Sequence, residues 1–192
     1  MLDDGVIGIL IFVLLAVLVV VKRVATGSIL DRPEGSALVQ AVNVFNLFFL
    51  LVVNPLAGVL LLTGRVAAID PSHVVIHEPR LRAAAQIAGL AIYVTGFAVM
   101  AWALIALRRS YQLGGLTPRP EDRMVTSGPY RVIRHPMYAA VLLISFGLAV
   151  VVIYLALLSR LIPIEESRLL SAYGESYAAY RRDTRRLVPF VY

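Results

Sequence analysis

The sequence contains no cysteine. A disulfide framework, a thiolate nucleophile and a cysteine-ligated metal are therefore excluded, and any covalent chemistry must use other groups. Charge is scarce as well: 16% of the 192 residues are charged against 59% hydrophobic, with a mean hydropathy of +0.81. That balance excludes an ordinary soluble domain and makes the bilayer part of the solvent. The start lacks the basic region of a secretory signal, carrying Asp3 and Asp4 instead, and no small-residue cleavage site follows the first apolar run. The first segment therefore reads as a retained span. The net charge of +6 comes from arginines beside the apolar runs and in the tail, where anionic lipid headgroups rather than nucleic acid are the expected partners.

What is present is a series of long apolar stretches. Gly5 to Val21 runs uninterrupted to Lys22-Arg23, long enough at ~1.5 Å per residue to cross most of a ~30 Å hydrocarbon core. Ala37 to Leu62 is a second span. Gln40, Asn43 and Asn54 fall near one of its faces with Asn46 beside them, and buried amides on such a face favour interhelical hydrogen bonds. Asn54-Pro55 predicts a kink, because proline lacks a backbone donor and crowds the preceding turn. Ile87 to Leu107 is a third span, closed by Arg108-Arg109, with Gly89, Tyr93, Gly96 and Met100 on one stripe that permits close helix approach. Between the second and third spans, His73 and His77 have the spacing of two ligands on one helical face, but Val74-Val75-Ile76 favours an extended, solvated loop. No metal is expected there.

These features predict an all-α, polytopic transmembrane bundle forming a single membrane domain over 1–192. Residues 1–109 supply the first three helices, and 110–192 the catalytic, cofactor-binding part. About five spans are expected, the last two as a hairpin. The final apolar region, Ala139 to Ile164, leads into a tail from Glu165 to Arg182 with amphipathic spacing, which reads as one helix at the interface. Basic residues number three after the first span, three in the next loop, six between Arg108 and Arg134, and six from Arg160 onward. The positive-inside rule places the third loop and the tail in the cytoplasm and the amino terminus outside. One tension follows. Ala139 to Arg160 holds about twenty apolar residues, enough for one crossing and too few for two. A single crossing would put the arginine-rich tail outside, so either the rule fails in this protein, or the region is a shallow re-entrant hairpin, or further residues belong near Val150 to Ile153. The missing turn residues at that valine-rich junction favour the latter.

The chemistry concentrates between Gln112 and Tyr138. A glycine pair, Gly114-Gly115, and a polar linker precede Gly128-Pro129-Tyr130-Arg131-Val132-Ile133-Arg134-His135-Pro136-Met137-Tyr138. Gly128 frees the backbone to turn, Pro129 and Pro136 suit first helical positions, and the exposed amides there receive an anionic or carbonyl group. Glu165 and Glu166 follow, then Tyr173-Gly174-x-x-Tyr177. Acids and bases so combined suit a ligand carrying hydroxyls, an amine and a carboxylate: Glu165 or Glu166 bonds hydroxyls or the amine, and Arg131, Arg134 or His135 holds a carboxylate. Adjacent helical residues point about 100° apart, so one glutamate is expected to face inward. Glu166, on a face with Leu169 and Tyr173, is the choice. Tyr130 and Tyr138 flank a ring or sit as interfacial aromatics. Taken singly, each has a plainer role: Arg134 on phosphates, His135 as a helix cap, the glutamates as counterions to tail arginines.

Gly-Pro-Tyr-x-x-x-Arg-His-Pro-x-Tyr, followed by Glu165-Glu166 and Tyr173-Gly174-x-x-Tyr177, resembles the isoprenylcysteine carboxyl methyltransferase family over roughly Ser110 to Tyr192. The resemblance implies a helical membrane enzyme that binds S-adenosylmethionine near the cytosolic face, releases S-adenosylhomocysteine, and receives a lipophilic acceptor from the bilayer. It implies catalytic roles for Arg134 and Glu166, with Gly128, Tyr130, Arg131, His135, Pro136, Tyr138, Glu165 and Glu166 around the donor. It also implies a helical hairpin between the two motifs. The acceptor expected is a carboxylate on a prenyl-like or lipid-bearing molecule, which needs no general base because it is already ionised. Phospholipid amine methylation is an alternative that needs one. A nicotinamide-dependent reductase of the sterol-reductase type, whose carboxyl-terminal pattern is similar but whose chains are much longer, and a non-catalytic membrane subunit are the others.

Overall fold

The structure is a computed structural model that describes residues 3–31, 35–65, 78–112, 118–120, 122–146 and 151–184, with backbone alone at 79, 81, 82, 85 and 151–161. The His73/His77 pair and Gly114-Gly115 lie outside the described residues. All regular elements described are helical: α1 (Asp4–Thr26), α2 (Ala37–Phe48), α3 (Asn54–Leu62), α4 (Pro79–Leu107), α5 (Pro136–Ser145), α6 (Val151–Tyr173) and α7 (Glu175–Asp183). Among the described residues three stretches are long and apolar enough to cross a membrane, Asp4–Thr26, Ala37–Leu62 and Gln86–Ser110. The expected helical membrane bundle is what the chain forms.

Each end of α1 follows from local chemistry. The Asp3 carboxylate accepts a hydrogen bond from the Gly5 amide at 2.8 Å, and Gly27 closes the helix at φ +83° with its N–H on the Arg23 carbonyl. An acidic first turn and a basic last turn suit the helix dipole. The second span is one rod with a fault: α2 runs into a single π-helical turn, Phe49–Val53, before α3. Pro55 has no N–H to give the preceding turn, and the backbone widens to absorb the loss. Asn54, buried in the bundle, completes the junction. Its Nδ2 donates to the Phe49 carbonyl at 2.9 Å, and its Oδ1 accepts from the Tyr93 hydroxyl of α4 at 2.6 Å. Of the amides expected to join helices, Asn54 does so. Gln40 is exposed and donates to the Gly35 carbonyl.

α1 packs against α3 and α4, and α4 carries α5. Small residues set the spacing. A Cβ at Gly8 would lie 2.9 Å from the Gly58 carbonyl, and one at Gly96 would lie 2.7 Å from Ile144 and 3.0 Å from the Ala140 carbonyl. Gly96 is thus the close approach anticipated on α4. Gly89 meets nothing within 4 Å.

The carboxyl-terminal half departs from expectation in two places. α5 has ten residues, about 15 Å of helix and only half of a hydrocarbon core, and α6 has already begun at Val151. The Arg134 guanidinium before α5 bonds the Glu166 carboxylate of α6 at 2.8 Å, so the start of α5 and the glutamates of α6 lie together and the chain returns between them; residues 147–150 lie outside the described residues. Nor is the tail a single helix from Glu165 to Arg182. The glutamates belong to α6, which ends at Tyr173, and Gly174 at φ +54° reorients the chain before α7.

Two outcomes follow. Asn54→Ala should cost ~1–3 kcal/mol of stability and Tyr93→Phe ~1 kcal/mol, with the double variant less than additive because both remove one bond. Thermal unfolding in detergent measures this, and full additivity would argue against the bond. Cysteines placed singly at Ser127 and Ser176 should react with an impermeant maleimide from the same side of the membrane, whereas labelling from opposite sides would refute the hairpin.

Candidate active site

Three backbone features aim the site's side chains. Ser127 is extended, and Gly128 at φ +62° opens a short 3-10 turn, Gly128–Arg131, packed against Trp102 and Ala106 of α4. Pro136 then starts α5, needing no N–H partner at that position, and leaves His135 immediately ahead of the helix. α6 delivers the two glutamates from the other arm of the hairpin.

The result is a compact charged cluster. Arg134 Nε donates to Glu166 Oε1 at 2.8 Å, and both side chains are less than one-tenth exposed. Arg134 Nη1 donates onward to the carbonyls of Arg181 at 3.2 Å and Thr184 at 2.5 Å, tying the end of α7 into the cluster. Arg181 Nη2 stands 3.8 Å from Glu166 Oε2. His135 sits between the glutamates, Nδ1 3.7 Å from Glu165 Oε2 and Nε2 3.7 Å from Glu166 Oε1, just beyond hydrogen-bond distance. Its ring stacks on Tyr138, with centroids 5.7 Å apart.

The cluster closes the polar end of a cavity of about 540 Å³. Arg134, His135, Tyr138, Glu165, Tyr130 and Tyr180 face it there, and its walls continue into the bundle along Phe12, Leu15, Leu50, Met100, Leu104 and Ile144. Leu169 and Tyr173 also line it, with Glu165 rather than Glu166. On α6 the cavity wall thus takes 165/169/173, an i, i+4, i+8 row, while Glu166, the residue expected inward, is the more deeply buried of the two glutamates. Glu166 turns to Arg134 instead. Of the other predicted residues, Pro136 is buried at the helix start and Gly128 shapes the turn, while Arg131 is exposed and does not reach the cavity.

Burial, then the Glu165 carboxylate, holds the Tyr130 hydroxyl well above its ordinary pKa. Burial pushes Tyr180 up to about 12. Both therefore stay protonated at physiological pH, and Tyr180 donates to the Tyr130 carbonyl. Asp122, on another wall, is pushed up by burial but held net below the usual carboxylate range by hydrogen bonds from the Arg119 side chain and backbone and from Gln112. Sequence reasoning missed this wall and Lys22, whereas Asn43 and Asn46, expected on an inward face mainly as interhelical amides, line the same cavity. The division into a spanning part and a catalytic part is therefore not a division of the cavity. Among the described residues no His/Cys/Asp/Glu group has a metal-binding arrangement.

The cavity thus has a charged end at the cap and an apolar end within the bundle. Residues 84–176 match the family model for PEMT, phospholipid methyltransferase. Protein-S-isoprenylcysteine O-methyltransferase B of Arabidopsis thaliana is 29% identical over 115 residues, covering 54% of this chain and 58% of that protein. The match thus spans little more than half of that relative's length. A solved structure of the eukaryotic intramembrane Ras methyltransferase ICMT (isoprenylcysteine carboxyl methyltransferase) is 21% identical and covers 80% of this chain and 74% of that one, with a TM-score of 0.49. The chain is thus similar in part to phospholipid and isoprenylcysteine methyltransferases, the second being the family that the motifs at 128–138 and 165–177 resemble.

The two glutamates should separate experimentally. Glu166→Gln breaks a buried ion pair and leaves Arg134 uncompensated, so it should lower stability by ~3–5 kcal/mol. Glu165→Gln, facing the cavity, should leave the unfolding temperature nearly unchanged. Equal destabilisation by both, in detergent melting curves, would contradict these placements.

Proposed function

We propose that the protein transfers a methyl group from S-adenosylmethionine to a lipophilic carboxylate at the cytoplasmic face of the membrane. The observation that carries this is the meeting of Arg134, His135, Glu165 and Glu166, from two separate motifs, at the polar end of a cavity whose other end is apolar.

The residues suit the donor. Glu165 Oε2 and His135 Nε2 are buried at the cavity without a hydrogen-bond partner among the described residues, and buried polar atoms require partners. The amine and ribose hydroxyls of the donor supply donors to Glu165, and its carboxylate and adenine supply acceptors to a histidine N–H. When bound, the donor contributes a methyl group on a cationic sulfonium. The chain does the rest by placement. Glu165 carries negative charge to the cavity wall, and Tyr130, Tyr138 and Tyr173 provide flat apolar surface beside it. Arg134 and Glu166, committed largely to each other, hold His135 and α7 in place around the ligand. An acceptor carboxylate is ionised at neutral pH, so alignment and exclusion of water carry the acceleration and no general base is required.

The family match at 84–176 favours methyl transfer over nicotinamide-dependent reduction. Its phospholipid description supports a second reading, methylation of a lipid amine. Glu165 is then the residue placed to take the proton.

The orientation proposed follows from the arginine distribution: polar cap in the cytoplasm and amino terminus outside. The maleimide label at Ser127 and Ser176 then enters only from the cytoplasmic side.

Purified protein should give a calorimetric signal with S-adenosylhomocysteine and none with NADPH. Arg134→Ala and His135→Ala should each lower methyl transfer at least ~100-fold, while Arg65→Ala has little effect. Isotopically labelled donor and mass spectrometry of lipophilic acids and phospholipids identify the acceptor class. A signal with NADPH alone, or equal losses in all three variants, would overturn the assignment.

A further inference from the structure

The amino-terminal side of the cavity is covered by a short strap. α1 ends at Thr26, and Gly27 at φ +83° turns the chain back on itself. The strap, residues 27–31, places Ile29 and Leu30 on the cavity wall, although they are 50% and 64% exposed. Wall residues with so much free surface have little packed against them, so this side of the cavity is thinly covered. It belongs to the polar end. α1 packs against the 3-10 turn Arg108–Ser110 at the close of α4, and the next residue, Tyr111, lines the cavity together with Lys22, Gln112 and Asp122.

Lys22 holds the strap in place. Its Nζ donates to Asp31 Oδ2 at 2.6 Å, to Ser28 Oγ at 3.2 Å and to the Ser28 carbonyl at 3.4 Å. Ser28 Oγ donates in turn to Asp31 Oδ1 at 2.7 Å. The same ammonium stands 4.9 Å from the centroid of the Tyr111 ring, within cation–π reach. Among the described residues, every hydrogen bond of the strap begins and ends within 22–31. What joins it to the wall after α4 is the Lys22 charge over Tyr111. A lysine side chain only 18% exposed needs a counter-charge. Asp31 supplies it from outside, for Asp31 is not a residue of the cavity wall. A segment bonded to itself, thinly packed and held across by one cation moves as a unit about Gly27. Partly exposed ion pairs are weak, so opening requires little free energy.

We propose that residues 27–31 form a gating strap over the polar end of the cavity, latched by Lys22 to Asp31 and hinged at Gly27, which sets the rate at which the donor enters and S-adenosylhomocysteine leaves. This rests on the methyl-transfer reading for the identity of the ligand. The strap is closed with and without ligand, so loosening the latch lowers the barrier in both directions and leaves affinity nearly as it was. Control of exchange is thereby assigned to the end of α1, outside the segment that carries the motifs.

The test measures exchange of radiolabelled S-adenosylhomocysteine on full-length protein in detergent by rapid filtration. Asp31→Asn should raise both the association and the dissociation rate at least about threefold, with the dissociation constant held within about twofold. Asp31→Glu, which keeps the charge, should stay close to the wild type. The double variant Lys22→Cys with Asp31→Cys should exchange as fast as Asp31→Asn, and joining its two thiols with a short bismaleimide should slow exchange below the wild-type rate. A second readout needs no ligand. Leu104 is buried on α4 and lines the cavity, and Leu104→Cys gives a unique thiol because the chain has no cysteine. Its reaction with a cationic methanethiosulfonate should be at least about threefold faster when Asp31→Asn is added. Unchanged exchange in Asp31→Asn, faster dissociation with unchanged association, or unchanged thiol reactivity would each overturn the strap. Failure of the wild type to bind S-adenosylhomocysteine would overturn the methyl-transfer reading instead, and the thiol reactivity would still decide whether the strap opens.

Discussion

The bond between Arg134 and Glu166 is the constraint on which the rest of the site depends. It joins residues from the two arms of the hairpin, both nearly withdrawn from solvent. Burying two charges is unfavourable unless the pair is close and its remaining hydrogen-bonding capacity is used. Here Arg134 spends a second nitrogen on the carbonyls of Arg181 and Thr184. One guanidinium thus joins the start of α5, the middle of α6 and the end of α7. Removing Glu166 leaves Arg134 buried without its carboxylate, removing Arg134 takes from Glu166 its closest cation, and either way the cap loses the element that orients His135 and Glu165.

The hairpin geometry follows from the same bond. Ten residues of α5 do not cross a bilayer, and they do not have to. α6 brings Glu166 back beside Arg134 at the start of α5. The amino-terminal spans line the sides of the cavity beneath the cap. Close glycine contacts at Gly8, Gly58 and Gly96 hold those helices near enough to act as walls. The cavity is therefore a property of the assembled bundle. Its polar end comes from the motifs, and its apolar length from helices whose sequences carry no motif.

This arrangement accounts for a division of labour between like residues. Glu165 and Glu166 are neighbours with identical side chains, but about 100° of helical rotation separates them. Glu166 is absorbed by the ion pair, and Glu165 is left facing the ligand space with an unmatched oxygen. The asparagines of the second span divide in the same way. Asn54 is consumed by the π-turn and Tyr93, whereas Asn46 keeps an acceptor directed at the cavity.

Much was legible in the sequence because it depends on local patterns. Apolar runs of bilayer length fixed the helical membrane class, Asn54-Pro55 announced a break in the second span, and the spacing at 128–138 with 165–177 marked the chemical end of the molecule. Glycine near one stripe of α4 foretold a close contact, although only Gly96, not Gly89, makes it. What the sequence left open were matters of distance across the chain. The depth of the hairpin depends on where α5 stops. The facing of Glu165 over Glu166 depends on the rotation of α6, set when Glu166 finds Arg134 thirty-two residues away. The participation of Lys22, Asn43 and Asn46 depends on which helices pack beside the cap. Sequence periodicity fixes which residues share a face of one helix. Which face looks onto the cavity is decided only when helices distant in the chain compete for the same buried partners.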